Sequence, residues 1–255
     1  MVFDILILTH ATFLIHRKEW GCNMYDLNKL LAHYDETERD KKQFLINHLI
    51  DVSQIAGKAG KSIGMGNMSR LIGILHDLGK SSHEFQAYIT GRYKGRVNHS
   101  SAGAAILDII GDKVKSKYDI WDLFGKKKTS PRIWELYKEI LQYPILAHHG
   151  LYDIIDKDFN YRTGVRLEYS KGAEGNFREP VLDFFNHLNQ EYKKMAKKSI
   201  YELYYEGFVE FVKIREKLYP IVRELDIRGS PDKTKQAKAL YFYYGALVRL
   251  LLAIL

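Results

Sequence analysis

Apolar residues recur three and four positions apart along much of the chain, which is the spacing of one buried helix face. Residues 41–56 show this pattern, with His48 at the border of the apolar face. A loop with four glycines follows, and residues 68–78 form a second, more apolar stretch that Gly79 is expected to end. The pattern therefore predicts that His76 and Asp77 lie in the last turn of a helix.

The same spacing predicts two further helices that carry histidines near their ends. One should begin near His99, with Asn98 or Ser100 as its cap. Another spans residues 133–141, and Pro144 is expected to start a new turn that runs to His148. We interpret residues 151–179 as a long surface insertion, and we expect long helices at 199–219 and 235–255. The fold class is therefore all-α, a helical bundle in one domain.

Composition adds limits to this picture. The single cysteine, Cys22, excludes an intramolecular disulfide and a cysteine zinc cage, and it favours a reducing, cytoplasmic setting. No apolar run is long enough to span a bilayer, so no membrane partner is expected. The net charge of +8 fits a polyanionic partner or a merely solvated basic surface.

The clearest chemical signal in the chain is a set of histidines near several predicted helix ends. One of these histidines is followed directly by an aspartate. Taken alone, each has an ordinary explanation as a core, capping or helix-terminal residue. Imidazole and carboxylate together are typical ligands of divalent transition metals, and two such ions can activate water against a phosphodiester. The ordered set that predicts this chemistry is His48, His76, Asp77, His99, His148 and His149.

Four segments of the chain resemble one known family, the HD nuclease domain of the CRISPR type I interference helicase-nuclease, which also exists as a separate subunit. The most specific segment is HDLGKSSHEFQAYI, because it joins HD, GK and FQ-x-Y. NHSSAGA and ILAHHG resemble the later histidine blocks of that family, and INHLIDV resembles its first.

The resemblance covers roughly residues 24–255 and implies a compact helical nuclease for single-stranded DNA. It implies that His48, His76, Asp77, His99, His148 and His149 bind one or two divalent ions, such as Mn, Ni, Fe, Co or Mg. It also implies that Lys80 is a catalytic residue facing the phosphate, alongside His76 and Asp77. The implied partners are a helicase, fused or in trans, and an RNA-guided surveillance complex. His33 matches a frequent family position with a less defined role.

Two departures from the family leave other functions open. Residues 1–23 match nothing in it, and we interpret them as an extension from an over-extended start codon. The aspartate segment that follows a sequence like RLLLAIL in the family does not occur before Leu255, so we expect a truncated chain. The alternatives are an HD phosphohydrolase of small nucleotides and an inactive HD scaffold without that ligand.

Basic and aromatic residues alternate in the segment GRYKGR and cluster again at 126–128 and 191–206. Such residues could contact a sugar-phosphate backbone and stack on bases. For the lysines near 193–198, the wet face of a helix is the simpler explanation. The pattern alone assigns no binding residue in these segments.

Overall fold

The computed structural model describes residues 26–34, 42–95, 97–118, 132–149, 167, 177, 179–224 and 233–255. The predicted all-α class is confirmed, since helices dominate these residues. A short antiparallel hairpin, β1 (Leu31–Tyr34) and β2 (Lys42–Phe44), and two 3-10 turns accompany them. The predicted extension at 1–23 and nearly all of the insertion at 151–179 lie outside the described residues. No described helix is long and apolar enough to cross a membrane.

Eight helices are seen in the described part of the chain. They are α1 (Leu45–Lys61), α2 (Gly66–Leu75), α3 (His83–Ile89), α4 (Ser100–Lys117), α5 (Arg132–Ala147), α6 (Val181–Ala196), α7 (Ile200–Glu224) and α8 (Lys233–Ile254). In the bundle, α1 and α7 pack on α2, while α4 and α8 pack on α5.

The first helix differs from its prediction at both ends. Residues 42–44 pair with β1 instead of extending the helix, so α1 starts at Leu45. Gly57 and Gly60 were expected in a loop, yet both lie inside α1. A Cβ on either glycine would collide with Arg70 or Ser69 of α2, so these glycines permit close helix packing. The loop is only four residues long.

Helix α2 ends before the His-Asp pair, which corrects the prediction that this pair lies in its last turn. His76 and Asp77 form a turn, and a 3-10 segment, Leu78–Ser81, follows. We call residues 76–81 the HD turn. Gly79 does not end a helix, because it lies inside this 3-10 segment.

The start of α2 is capped by a distant carboxylate. Glu210 of α7 accepts hydrogen bonds from the backbone N–H groups of Asn67 and Met68, at 2.8 and 3.0 Å. A negative group at a helix N-terminus satisfies free donors and complements the helix dipole. Burial raises the pKa of Glu210, against the lowering effect of these bonds. This contact holds the N-terminus of α2, the helix that leads into the HD turn.

Two other sequence predictions need correction. Pro144 lies inside the continuous helix α5 and does not begin a new turn. Neither Asn98 nor Ser100 caps α4, whose N-cap position is His99 without a side-chain cap bond. The local pattern also missed the hairpin and the short helix α3, because strand pairing and tertiary contacts stabilise elements of so few residues.

Candidate metal centre

The structure brings six predicted ligands to one place although 101 positions separate the first from the last. Helix α1 contributes His48, and the HD turn contributes His76 and Asp77. His99 precedes α4 and the pair 148–149 follows α5, where a turn lets both rings face the cluster. Adjacent side chains of a helix point in different directions and could not easily face one ion. The pairs 76–77 and 148–149 avoid this problem, because each pair lies in a turn.

Asp77 occupies the centre of the cluster. Its Oδ2 lies 3.2 Å from His48 Nε2 and 3.1 Å from His76 Nε2. Its Oδ1 lies 3.4 Å from His148 Nε2 and 3.6 Å from His99 Nε2. Each carboxylate oxygen thus faces its own pair of imidazoles.

The ligand atoms divide into two groups that share this carboxylate. We call His48, His76 and Asp77 the inner group, and Asp77, His99, His148 and His149 the outer group. Within each group the candidate ligand atoms lie within 4.8 Å of one another. In the outer group, the Nε2 atoms of His99 and His149 are only 2.6 Å apart.

Backbone carbonyls fix the direction of three rings. The Nδ1–H of His76 donates to Gly73 O at 2.8 Å, that of His148 to Ile145 O at 2.7 Å, and that of His99 to a carbonyl two residues before it at 3.3 Å. A carbonyl can only accept, so Nδ1 carries the proton in each ring. In the neutral ring, Nε2 then presents a lone pair toward Asp77, as a metal ligand would.

The charges in the cluster fit a bound cation. Burial raises the pKa of Asp77, but the imidazoles of His148, His48 and His76 outweigh burial and hold that pKa well below its usual range. Burial lowers the pKa of His99 to about 4, so this ring is neutral at neutral pH. A neutral ring whose Nδ1–H donates to a carbonyl turns an Nε2 lone pair toward the carboxylate, and the two atoms repel each other at these distances unless a second proton or a metal ion lies between them.

Two buried atoms of the cluster support the same conclusion. Asp77 Oδ1 and His148 Nε2 find no hydrogen-bond partner among the described residues. Buried polar atoms without partners are uncommon in proteins and point to an ion or water. The donor set of imidazole nitrogen and carboxylate oxygen suits divalent transition metals.

A family model for the HD domain matches residues 45–174, a range that contains all six candidate ligands. This chain belongs to the HD-domain family. HD domains are typically metal-dependent phosphohydrolases, and the candidate His/Asp cluster has the composition that such chemistry requires. No curated protein and no solved structure matches the chain.

Lys80 of this HD domain faces Asp77. Its Nζ lies 2.9 Å from Asp77 Oδ2 and donates to Ala32 O at 3.3 Å, and its side chain is only 6% exposed. The 3-10 segment, and not a continued α-helix, places Lys80 against the carboxylate of Asp77, three positions earlier in the chain. Its predicted catalytic role toward a phosphate stays a prediction.

Gln86, for which the sequence patterns predicted no role, joins the HD turn to β1. Its Nε2 donates to Lys80 O at 2.7 Å and to Leu31 O at 2.9 Å, while its Oε1 accepts from Leu31 N at 3.0 Å. The FQ-x-Y segment that carries the resemblance contains this residue, so the only signal was its presence there. Gln86 is a positioning residue of the HD turn.

Close backbone contacts also position the turn. A Cβ on Gly79 would collide with the carbonyl oxygen of His99, and one on Gly103 would collide with that of Leu75. The HD turn can therefore approach the start of α4 only because these positions lack side chains. This approach brings His99 to the Asp77 carboxylate.

His33 lies at the edge of the cluster. Its ring packs edge-on against His48, with ring centroids 5.2 Å apart, but it belongs to neither group of candidate ligands. Burial and then the Lys80 charge lower the pKa of His33. The ring is exposed on β1, where it forms one rim of the centre.

Proposed function

We propose that this HD domain is a metal-dependent nuclease that hydrolyses phosphodiester bonds of single-stranded DNA in CRISPR type I interference. The observation that carries the hydrolytic part is the convergence of imidazole nitrogens on both oxygens of the buried Asp77. The resemblance of the HDLGKSSHEFQAYI segment and of the three histidine blocks supports the choice of DNA and of the interference role.

The bound divalent ions would lower the pKa of a water molecule and stabilise the negative charge on the leaving oxygen. The inner group and the outer group would hold them, with Asp77 common to both. The Nδ1–H bonds of His76 and His148 keep each Nε2 aimed inward, so little reorganisation accompanies binding. Without an ion, Lys80 neutralises part of the Asp77 charge.

Substrate would approach from the outer group, which is the more open side. His149 is exposed, whereas His76, Asp77 and Lys80 are buried. A phosphodiester lying against His149 and His99 would therefore reach the centre without opening the bundle. The flexibility of a single strand would let one phosphate turn toward these two rings.

The test incubates circular single-stranded DNA with the chain and Mn²⁺ or Ni²⁺. We expect nicking that His76→Ala and Asp77→Ala abolish. His187→Ala is the matched control, because His187 bonds to Asn28 at 2.9 Å on an exposed surface and belongs to neither group. Hydrolysis of nucleotides without DNA cleavage, or bound metal without either activity, would contradict the proposal.

The interference role has a separate test. A helicase and the subunits of an RNA-guided complex should be encoded beside this chain, and the helicase should accelerate cleavage of a displaced strand. A genomic neighbourhood of nucleotide metabolism, with no helicase, would contradict this part while leaving the nuclease test unaffected.

A further inference from the structure

Two tyrosines that follow the HD turn along the chain have open side chains. Tyr88 lies on α3, directly after the HD turn, and Tyr93 lies in the loop that follows α3. The exposed fraction is 47% for each residue. Large aromatic side chains that remain open next to a reaction centre are candidates for contact with a ligand.

A buried ring joins Tyr88 to the centre. The ring centroid of Phe85 lies 4.9 Å from that of His99 and 5.9 Å from that of Tyr88. Phe85 is only 5% exposed, so it holds its two neighbours in a fixed relation. Only the Phe85 ring therefore separates Tyr88 from His99, which is a member of the outer group.

The loop after α3 is held against the end of that helix. The backbone N–H groups of Arg92 and Tyr93 donate to Ala87 O, at 2.8 and 3.1 Å. The Nε–H of Arg92 donates to Thr90 Oγ1 at 3.0 Å. These bonds fix where Tyr93 and its neighbours emerge, which lowers the ordering cost of binding a ligand there.

The loop after α3 carries positive charge. Arg92 and Lys94 are exposed in it, while the acidic residue nearest to them in the chain is Glu84, one helical turn before Tyr88. Exposed aromatic rings between basic side chains are the combination that binds single-stranded nucleic acid, because bases stack on rings while cations contact phosphates. A duplex offers these rings no unstacked base.

We propose that Tyr88 and Tyr93 stack on bases, and that Arg92 and Lys94 bind flanking phosphates, of a single strand whose scissile phosphate lies at the outer group. We call these four residues the strand platform. The inference rests on the proposed nuclease function and adds the residues that select single strands. They touch substrate away from the reacting atoms.

The test measures fluorescence anisotropy of a labelled 20-nucleotide oligothymidine in EDTA, so that no cleavage occurs. Tyr88→Ala combined with Tyr93→Ala should raise the Kd by about 30-fold or more, because each lost base stack is expected to cost at least about 5-fold. Tyr88→Trp should keep or improve the wild-type Kd. Arg92→Ala with Lys94→Ala should reduce the slope of log Kd against log salt by about 1.4, the value for two phosphate contacts to a single strand.

Lys58→Ala with Lys61→Ala is the matched control. Both lysines are exposed at the far end of α1, about 15 Å (Lys58) and about 20 Å (Lys61) along the helix from His48. This pair should leave the Kd and the Kd difference between single strand and duplex unchanged. Unchanged binding by the Tyr88 and Tyr93 variant, or wild-type preference for duplex, would overturn the proposal.

Hydrolysis of bis(p-nitrophenyl) phosphate with Mn²⁺ separates this inference from the proposed function. This small diester has a single phosphate and no flanking nucleotides, so the platform variants should lose far less of its hydrolysis than of oligonucleotide cleavage. Failure of the wild type to hydrolyse it and to cleave DNA would remove the nuclease proposal. Intact hydrolysis with unaltered oligonucleotide binding by the variants would remove the platform alone.

Discussion

The inner and outer groups share one carboxylate but differ in burial and in nearby charge. In the inner group, the His48 and His76 side chains are 13% and 9% exposed, and the Lys80 ammonium already lies 2.9 Å from Oδ2. The outer group has one more candidate ligand and includes the exposed His149. Its carboxylate oxygen, Oδ1, faces the rings of His99 and His148. We therefore expect the outer group to bind the first ion and the inner group the second.

The largest effect is expected from removing the carboxylate that both groups share. Asp77→Asn should abolish both metal-binding steps and reduce phosphodiester hydrolysis by about 10³-fold or more, because no anionic ligand remains between the imidazoles. Isothermal titration with Mn²⁺ measures the two steps. Asp108→Asn, at a carboxylate bonded to Lys138 away from the centre, is the control and should retain both.

Single-histidine variants should separate the groups. His149→Ala should weaken the first binding step by about 10- to 100-fold and leave the second nearly unchanged, while His48→Ala should do the reverse. Competition with a chromophoric chelator measures both steps. Equal loss of both steps in each variant would show that the ligands form one undivided site.

Lys80→Met tests the difference in nearby charge between the inner and outer groups. Removing the ammonium from Oδ2 should strengthen the inner step by about tenfold, because one nearby positive charge no longer opposes the ion. The metal-free protein should become less stable, since Asp77 loses its charged partner. Lys138→Met, which removes a lysine paired with Asp108 and Glu135, should change neither binding step. An inner step weakened by Lys80→Met would mean that Lys80 organises the ligands.

The smallest effect is expected at the support of the HD turn. Gln86→Leu removes the bonds to Leu31 and Lys80 and should lower the free energy of unfolding by about 1–3 kcal/mol. Because Gln86 holds the side of the turn that carries Lys80, the inner step should weaken more than the outer one. Gln43→Leu, at an exposed position of β2, is the control for urea unfolding. Equal stability of both variants would contradict the positioning role.

The sequence predicted the members of the cluster but not its geometry. Apolar spacing placed the histidines near helix ends, and the resemblance selected six candidate ligands that the structure brings together. The error at Gly79 is instructive. A glycine after an apolar run resembles a helix end, whereas the reason for this glycine is the His99 carbonyl, twenty residues later in the chain. Local patterns carry no information on such a contact.

The supporting residues were harder to foresee for the same reason. Gln86 acts through the backbone of Leu31, which is fifty-five positions away. The strand that contains Leu31 forms only by pairing with residues 42–44, a stretch whose own pattern favoured a helix. Strand pairing and backbone hydrogen bonds at long separation depend on the folded structure, so single-sequence patterns could not predict them.

The most direct measurement is anomalous diffraction from crystals of the Mn²⁺-loaded chain. The two-group arrangement predicts two peaks roughly 3.5 to 4 Å apart, with Asp77 Oδ2 ligating one ion and Oδ1 the other. A single ion bound by histidines from both groups, or ions bound elsewhere with Asp77 still paired to Lys80, would contradict it.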